Sequence, residues 1–463
     1  MALSGTFYGT TSNPRIKPQI VWSAKQSVAG NYSDVTAVLQ YTRSNSGYTT
    51  GGTWEGTLSI NGETVTDKLY LEITYGNTTT ALSATVRVYH GDDGKKSIAI
   101  SATGGIVTPA EASLKTTEIS ETITLDTIPR ASEISATDCN IGSCSTLVID
   151  KKSSSLSSSL AYRFGSLTGY ITSAGGVSTA EKKFSATVVN FKVPTTFYAQ
   201  IPEAARGTCT ITCTTYAGSV KVGSTTTTFC ATAAESLCAP TVAGAVKDTR
   251  AETVALTGND QVLVLNASKA TCTITATARN SATITKKSIF GRSVTGTQLV
   301  LDPPTKGEIA FVAKDSRGYR TQLNYTAQTV AYLKPTANIK PKRDTPTGST
   351  AKVTVTGKCF QGSFGKSSNT LTLKLEVVGT GTTLTLTPTV NDDNTYRGVF
   401  KLTGLPYENS YSLKLTLTDK LTTITKNATL PRGMPVFDWG KSDFQFHVPV
   451  YIPKLYVDGK QIE

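Results

Sequence analysis

Histidine is nearly missing from this chain: His90 and His447 are the two among 463 residues. Nucleophilic catalysis by serine or cysteine needs a histidine or lysine base within hydrogen-bond reach, so few such constellations remain. His90 precedes Gly91-Asp92-Asp93-Gly94 and reads as a strand end entering a tight Asp-Gly turn rather than as an acid–base group. His447, inside Phe444-Gln445-Phe446-His447-Val448-Pro449, reads as a strand edge. Charged residues are also sparse, at 17%, and the acidic ones fall mostly in turns. Glycoside hydrolysis needs two carboxylates converging on one cleft, which this pattern disfavours. Asp92-Asp93 and Asn391-Asp392-Asp393-Asn394 carry loop oxygens but lack calcium-loop spacing, and read as solvated turns. No phosphate-cradling glycine loop lies between a strand and a helix. No cofactor and no metal is expected.

Long apolar runs are missing too. Nothing approaches the roughly twenty residues needed to cross a bilayer, and Met1-Ala2-Leu3-Ser4-Gly5 lacks the basic start and apolar core of a signal peptide. The expectation is a chain made in the cytoplasm, not inserted in a membrane, that leaves by lysis or inside a particle. Eight cysteines in a chain of this length are no disulfide scaffold. Cys209 and Cys213 lie four apart on one strand face without a Cys-x-x-Cys pair, so buried reduced thiols are expected.

What the chain does have is period-two alternation nearly throughout. Leu82, Ala84, Val86 and Val88 alternate with Ser83, Thr85, Arg87 and Tyr89; Leu371, Leu373, Leu375 and Val377 repeat the pattern, as do Tyr411, Leu413, Leu415 and Leu417. Each run offers one apolar face to a core and one polar face to water. Turn signals stand between the runs: Asn61-Gly62, Asp93-Gly94, Gly175-Gly176. No sustained helical period occurs, so the chain reads as all-β, an elongated series of immunoglobulin- or fibronectin-like β-sandwich modules with a short C-terminal β segment. Prolines divide it into 1–128, 129–238, 239–334, 335–430 and 431–463, the first read as a carbohydrate-binding module and the last as an assembly segment. Asp315-Ser316-Arg317-Gly318 suits a type I turn between two hairpin arms, with Arg317 expected at an exposed tip.

Net charge is +13. The positive residues do not form the stripe that nucleic-acid binding uses; Lys334, Lys340, Lys342 and Arg343, interleaved with Pro335 and Pro341, read as a linker. An anionic surface polymer, such as a cell-wall polysaccharide, is the partner such a charge suits. Trp22, Tyr32, Tyr41, Tyr48, Trp54, Tyr70, Tyr75 and Tyr89 could supply stacking platforms for sugars, with Trp22 and Trp54 read as core. Tyr48, among Ser46-Gly47 and Thr49-Thr50-Gly51-Gly52, is the residue singled out for saccharide contact.

Several motifs then occur in order. They are Asn31-Tyr32-Ser33-Asp34-Val35-Thr36 after Trp22, His90-Gly91-Asp92-Asp93-Gly94-Lys95-Lys96-Ser97, Thr127-Ile128-Pro129-Arg130-Ala131-Ser132, Ala255-Leu256-Thr257-Gly258, Asp315-Ser316-Arg317-Gly318 and Asp419-Lys420. The most specific is Pro431-Arg432-Gly433-Met434-Pro435-Val436-Phe437-Asp438-Trp439-Gly440, continued by Asp443-Phe444-Gln445-Phe446-His447-Val448-Pro449-Val450. Together they resemble the minor structural, tail-tip proteins of long-tailed phages and prophages of Gram-positive bacteria. Departures are His447, where the family usually has Asn, and the short stretch 451–463 that follows, where some relatives continue.

The resemblance implies a virion component at the tail tip (tail fibre or baseplate), contacting other phage tail proteins and taking part in host attachment. It supplies no catalytic residues. A carbohydrate-binding adhesin proper and a cell-wall glycan hydrolase are the alternatives. Phe437, Trp439, Phe444 and Phe446 form a dense apolar group in a piece too short for its own core, and are expected to serve assembly. Tail-tip fibres suggest a homotrimer, joined by edge pairing over 444–456.

Overall fold

In this computed structural model, residues 2–47 and 49–433 are described in full, with the backbone of four short strands beyond them. By contact, the chain divides into two units, Met1–Leu237 and Cys238–Glu463. Strands dominate both, as the alternation requires: Leu82, Ala84, Val86 and Val88 are all buried, as are Leu371, Leu373, Leu375 and Val377.

The first sandwich has nine strands: β1 Ser4–Tyr8, β2 Thr10–Thr11, β3 Ile16–Ser27, β4 Tyr32–Arg43, β5 Thr50–Ile60, β6 Glu63–Ile73, β7 Thr78–Tyr89, β8 Ser97–Thr108 and β9 Thr117–Thr124. They form a sheet ordered β1-β3-β4-β7 and a second ordered β2-β9-β8-β5-β6. Asn61 and Gly62, at φ 53° and 89°, make the two-residue turn that pairs β5 with β6. Both residues need a positive φ there, which Asn-Gly accepts at little cost. Between the sheets lies a core containing Ile20, Leu39, Leu58, Ile60 and Ile100 around Trp54. The Trp54 indole needs glycine beside it, since a Cβ on Gly104 would stand 2.4 Å from its ring. Its Nε1–H donates to Tyr41 Oη at 3.2 Å, and Tyr41 Oη pairs with Thr117 Oγ1 at 2.9 Å. Every polar atom of this aromatic pair is thereby satisfied inside the core, as burial demands. Trp22, Tyr41 and Trp54 are therefore structural, as read for the two tryptophans.

In the remainder of the first unit, Glu133–Ala136, Cys144–Asp150 and Val188–Lys192 form one sheet. A six-stranded sheet built on Arg206–Ala217 and Val220–Thr232 faces it. Phe164 and Phe197 stack between them at 4.1 Å. The eight cysteines are free; five are buried, Cys139 and Cys230 are half-buried, and Cys144 is exposed. Burial pushes the Cys139 thiol up to about 11 and the Cys209 thiol up to about 12.

The second unit repeats the architecture. Thr241–Asp248, Ala270–Thr277 and Gln298–Leu301 form one sheet. The other is ordered Arg292–Val294, Ile284–Ile289, Glu308–Asp315, Arg320–Thr326, and the two enclose Ile274, Ile289 and Phe311. Next come Asn338–Arg343, Ala351–Lys358 and Thr395–Leu402 opposite a sheet built on Thr372–Val377 and Tyr411–Thr418, with Leu373, Leu375, Leu415 and Leu417 inside. A separate apolar cluster, Val264, Ala267, Tyr332 and Phe364, joins the two. Tyr332 Oη–H reaches Asp419 Oδ2 at 3.0 Å, and Asn369 Nδ2 donates to the same oxygen at 3.3 Å. Asp248, buried before the short helix Ala251–Thr257, accepts from Thr253 Oγ1 at 2.5 Å, Ser268 Oγ at 2.6 Å and the Arg250 and Lys269 amides. Further on, Phe437–Trp439 pairs with Phe444–Phe446, and Leu455–Val457 with Lys460–Ile462.

Two local expectations are corrected. The Asp315–Gly318 turn forms, with the Gly318 amide donating to Asp315 O at 3.1 Å, yet Arg317 is buried. Its guanidinium turns back onto the carbonyls of Arg279 and Asn280, because several N–H donors can satisfy open carbonyls at one stroke. The basic segment is also not a linker: Lys340, Lys342 and Arg343 belong to edge strand Asn338–Arg343. Pro341 is tolerated there because an edge strand needs its N–H bonds on one side alone. Arg343 donates to the carbonyls of Pro431, Gly348, Leu405, Pro406 and Asn409, which fastens the strand to its neighbours.

Candidate functional site

His90 is the histidine that falls among the described residues. It closes β7 and is buried, with Nδ1 2.8 Å from Gly94 O and Nε2 2.7 Å from Ser33 Oγ. A carbonyl can accept but not donate, so in the neutral ring Nδ1 carries the proton and Nε2 accepts from the serine hydroxyl. That is the connectivity of a serine–histidine dyad. Ser33, however, is fully buried, and no substrate carbonyl can approach a hydroxyl sealed under the turn. The pair ties β4 to residues 91–94, so the reading of a strand end entering a turn holds. Asp93 and Asp393 are likewise used by their own turns: Asp93 Oδ1 accepts from the Lys95 amide at 3.0 Å, Asp393 Oδ1 from the Thr395 amide at 3.0 Å. Among the described residues no group of three or more His, Cys, Asp or Glu is arranged to hold a metal ion.

The outer face of the β1-β3-β4-β7 sheet is a better candidate. The antiparallel register places its outward residues in rows across the strands. Ser27, Tyr32 and Tyr89 share one row, and Lys25, Asp34 and Arg87 the next. Then come Ser23, Thr36 and Thr85, next Thr6, Val21, Val38 and Ser83, and beyond them Tyr8, Gln19, Gln40 and Thr80.

Arg87 grips Asp34 with both arms, Nε to Oδ1 at 2.9 Å and Nη2 to Oδ2 at 3.2 Å. The same guanidinium lies 3.8 Å from the centre of the Tyr32 ring, and Tyr89 meets Tyr32 edge-on at 5.8 Å. Hydrogen bonds from Arg87 lower the Asp34 carboxyl from its ordinary value, which favours the ion pair. Down the face, Thr36 Oγ1 pairs with Thr85 Oγ1 at 2.8 Å and Gln19 Nε2 donates to Gln40 Oε1 at 2.9 Å. Tyr89, 64% exposed, and Tyr8, 70% exposed, stand toward opposite ends of this face.

An exposed ring can take the C–H face of a pyranose, while a fixed guanidinium and rows of hydroxyls and amides exchange hydrogen bonds with its hydroxyls. The opposite sheet carries a shallow groove of about 490 Å³ containing Glu55, Thr57, Thr103 and Glu118. Lys68 holds Glu55 at 3.3 Å in that groove.

Of the aromatics named from sequence, Tyr70 and Tyr75 are exposed as well, and the register unites Tyr32 with Tyr89 alone. Tyr48 lies outside the described residues, as do the side chains of Phe437, Trp439, Phe444 and Phe446. Tyr8, Lys25, Asp34 and Arg87 were missed as a group. Arg87 and Tyr89 do share the polar phase of one alternating run, but the partner strand that completes their rows lies 53 to 57 residues away.

No curated protein matches the sequence. Among solved structures, the tetra-tandem repeat of the extending region of a large adhesion protein aligns at 11% identity over 88% of this chain and 97% of that one, with a TM-score of 0.25. The N-terminal eight Ig domains of Down Syndrome Cell Adhesion Molecule align at 11% identity, over 90% and 52%, with a TM-score of 0.25. The FN1-FN3 domains of chicken CNTN1 align at 12% identity, over 65% and 99%, with a TM-score of 0.18. Likenesses this distant carry no weight for function. Residues 18–442 match a family described as "Siphovirus protein of unknown function (DUF859)". The match takes in most of the chain, which therefore belongs to this siphovirus protein family.

Proposed function

We propose that the protein is a non-enzymatic structural component of the siphovirus tail tip, in the tail fibre or baseplate, that takes part in attachment to the host surface. The observation that carries the adhesive part is the Tyr32–Tyr89–Arg87–Asp34 group on an open sheet face. A side chain network this ordered on an exposed, otherwise hydroxyl-rich sheet is what weak, repeated recognition of a polysaccharide uses. The net charge of +13 suits anionic cell-wall polymers in particular. Membership in a siphovirus family supports a virion role beside other phage proteins.

The five-part division at 128, 238, 334 and 430 belongs to the same proposal. So do the assembly role of Phe437, Trp439, Phe444 and Phe446, the contact through Tyr48, and a homotrimeric state. Antibody raised against the purified chain should decorate the tail tip of intact particles; labelling confined to the capsid would refute the placement.

A further inference from the structure

The second unit carries a groove on the sheet that contains Glu308–Asp315 and Arg320–Thr326. It measures about 580 Å³ and is lined by Phe290, Lys306, Glu308, Ala310, Asn324 and Tyr325, among others. Its floor follows from the register. On strand Glu308–Asp315 the outward residues are Glu308, Ala310, Val312 and Lys314, and Ala310 faces Asn324 while Glu308 faces Thr326. One small side chain among longer neighbours leaves a hollow over Ala310.

Phe290 forms a wall of that hollow in an unusual way. Ile289 pairs with Arg292, so Phe290 and Gly291 are the two residues of a tight hairpin turn, at φ 53° and 74°. The Phe290 amide is fastened to Ala310 O at 2.9 Å. Asn61 occupies the same turn position between β5 and β6, also at φ 53°. Asparagine is the residue this position prefers. A bulky aromatic there is a conformational outlier, and held strain of this kind clusters at ligand sites.

Polar groups converge from the other side. Gln322 Nε2 donates to Asn324 Oδ1 at 2.7 Å, so the Asn324 amide offers its N–H groups as donors. Arg320 in turn donates to Gln322 Oε1, which fixes the orientation of that relay. Glu308 offers acceptors two residues along the neighbouring strand. One donor and one acceptor beside an aromatic wall match two adjacent hydroxyls of a sugar ring.

We propose that this groove is a second saccharide site, holding one pyranose unit of a cell-surface polysaccharide with its C–H face on Phe290 and vicinal hydroxyls on Glu308 and Asn324. The inference rests on the adhesive reading above and adds a second contact on the same chain, so that two weak sites reinforce one another.

The test is saturation-transfer NMR on the full chain with glucose, galactose, rhamnose, N-acetylglucosamine and N-acetylgalactosamine as probes. At least one should receive magnetisation, and its affinity should fall tenfold or more in Phe290→Asn and in Glu308→Gln. Phe290→Asn gives the turn its preferred residue, and Glu308→Gln alters an exposed side chain, so the second decides the matter if the first does not fold. Transfer to no probe, or transfer unchanged in both variants, would overturn the groove site. If the intact chain still pellets with cell walls in that case, the adhesive reading stands without it.

Discussion

Tyr332 offers the sharpest test of how the second unit is held together. Its ring packs on Phe364 at 5.9 Å and Phe360 at 6.0 Å, and its hydroxyl donates to Asp419, which also accepts from the Leu421 and Thr422 amides at 2.9 and 2.7 Å. Tyr332→Phe keeps the packing and removes the donor. A hydrogen bond to a charged group contributes about 1.5–3 kcal/mol, and the buried carboxylate is left short of a partner. At about 1.4 kcal/mol per tenfold, local opening should rise roughly 10- to 150-fold. Hydrogen exchange of amides in 360–369 and 419–422 reads that directly.

The same residue predicts a pH signature. Burial, reinforced by the Asp419 charge, pushes the Tyr332 phenol well above its ordinary value. The unfolded chain therefore ionises first, so this contribution is whole below about pH 10 and is lost as pH rises above it, by about 1.4 kcal/mol per pH unit. Tyr396 adds a loss of the same sign, burial being its leading cause. Tyr332→Phe should be less stable at neutral pH and lose less on alkalinisation. Unchanged exchange together with an unchanged alkaline slope would refute the reasoning.

Other outcomes follow from single contacts. Asp248→Ala orphans four donors around one buried carboxylate and should destabilise the second unit by about 3–5 kcal/mol in urea unfolding, since isolated buried partners are costly. His90→Ala strips Ser33 of its partner and should cost the first unit about 1–3 kcal/mol by thermal melting, while any cell-wall binding persists. Trp439→Ala should lower incorporation into particles, scored by immunoblot of purified virions, before it alters polysaccharide binding.

The strands were legible because alternation leaves no ambiguity about phase: the buried positions Leu413, Leu415 and Leu417 could be named from spacing alone. Asn61-Gly62 announced its turn for the same local reason. What escaped depended on residues far apart in sequence. Arg317 looked exposed because its acceptors, Arg279 and Asn280, lie 38 and 37 residues earlier. Lys340, Lys342 and Arg343 looked like a linker because Pro341 masks an edge strand, where proline is permitted. His90 was placed correctly, but its partner Ser33 lies 57 residues away. The candidate face was half legible: Arg87 and Tyr89 share a polar phase, and only strand pairing brings Asp34 and Tyr32 beside them.

The most direct measurement of the central claim is co-sedimentation of the intact chain with host cell walls. The account predicts that the chain pellets, that it pellets less after anionic wall polymers are removed, and that Tyr89→Ala weakens binding roughly fivefold, as loss of about 1 kcal/mol of stacking implies. A chain that stays in the supernatant, or a Tyr89→Ala variant that pellets as fully as the parent at every concentration, would contradict it.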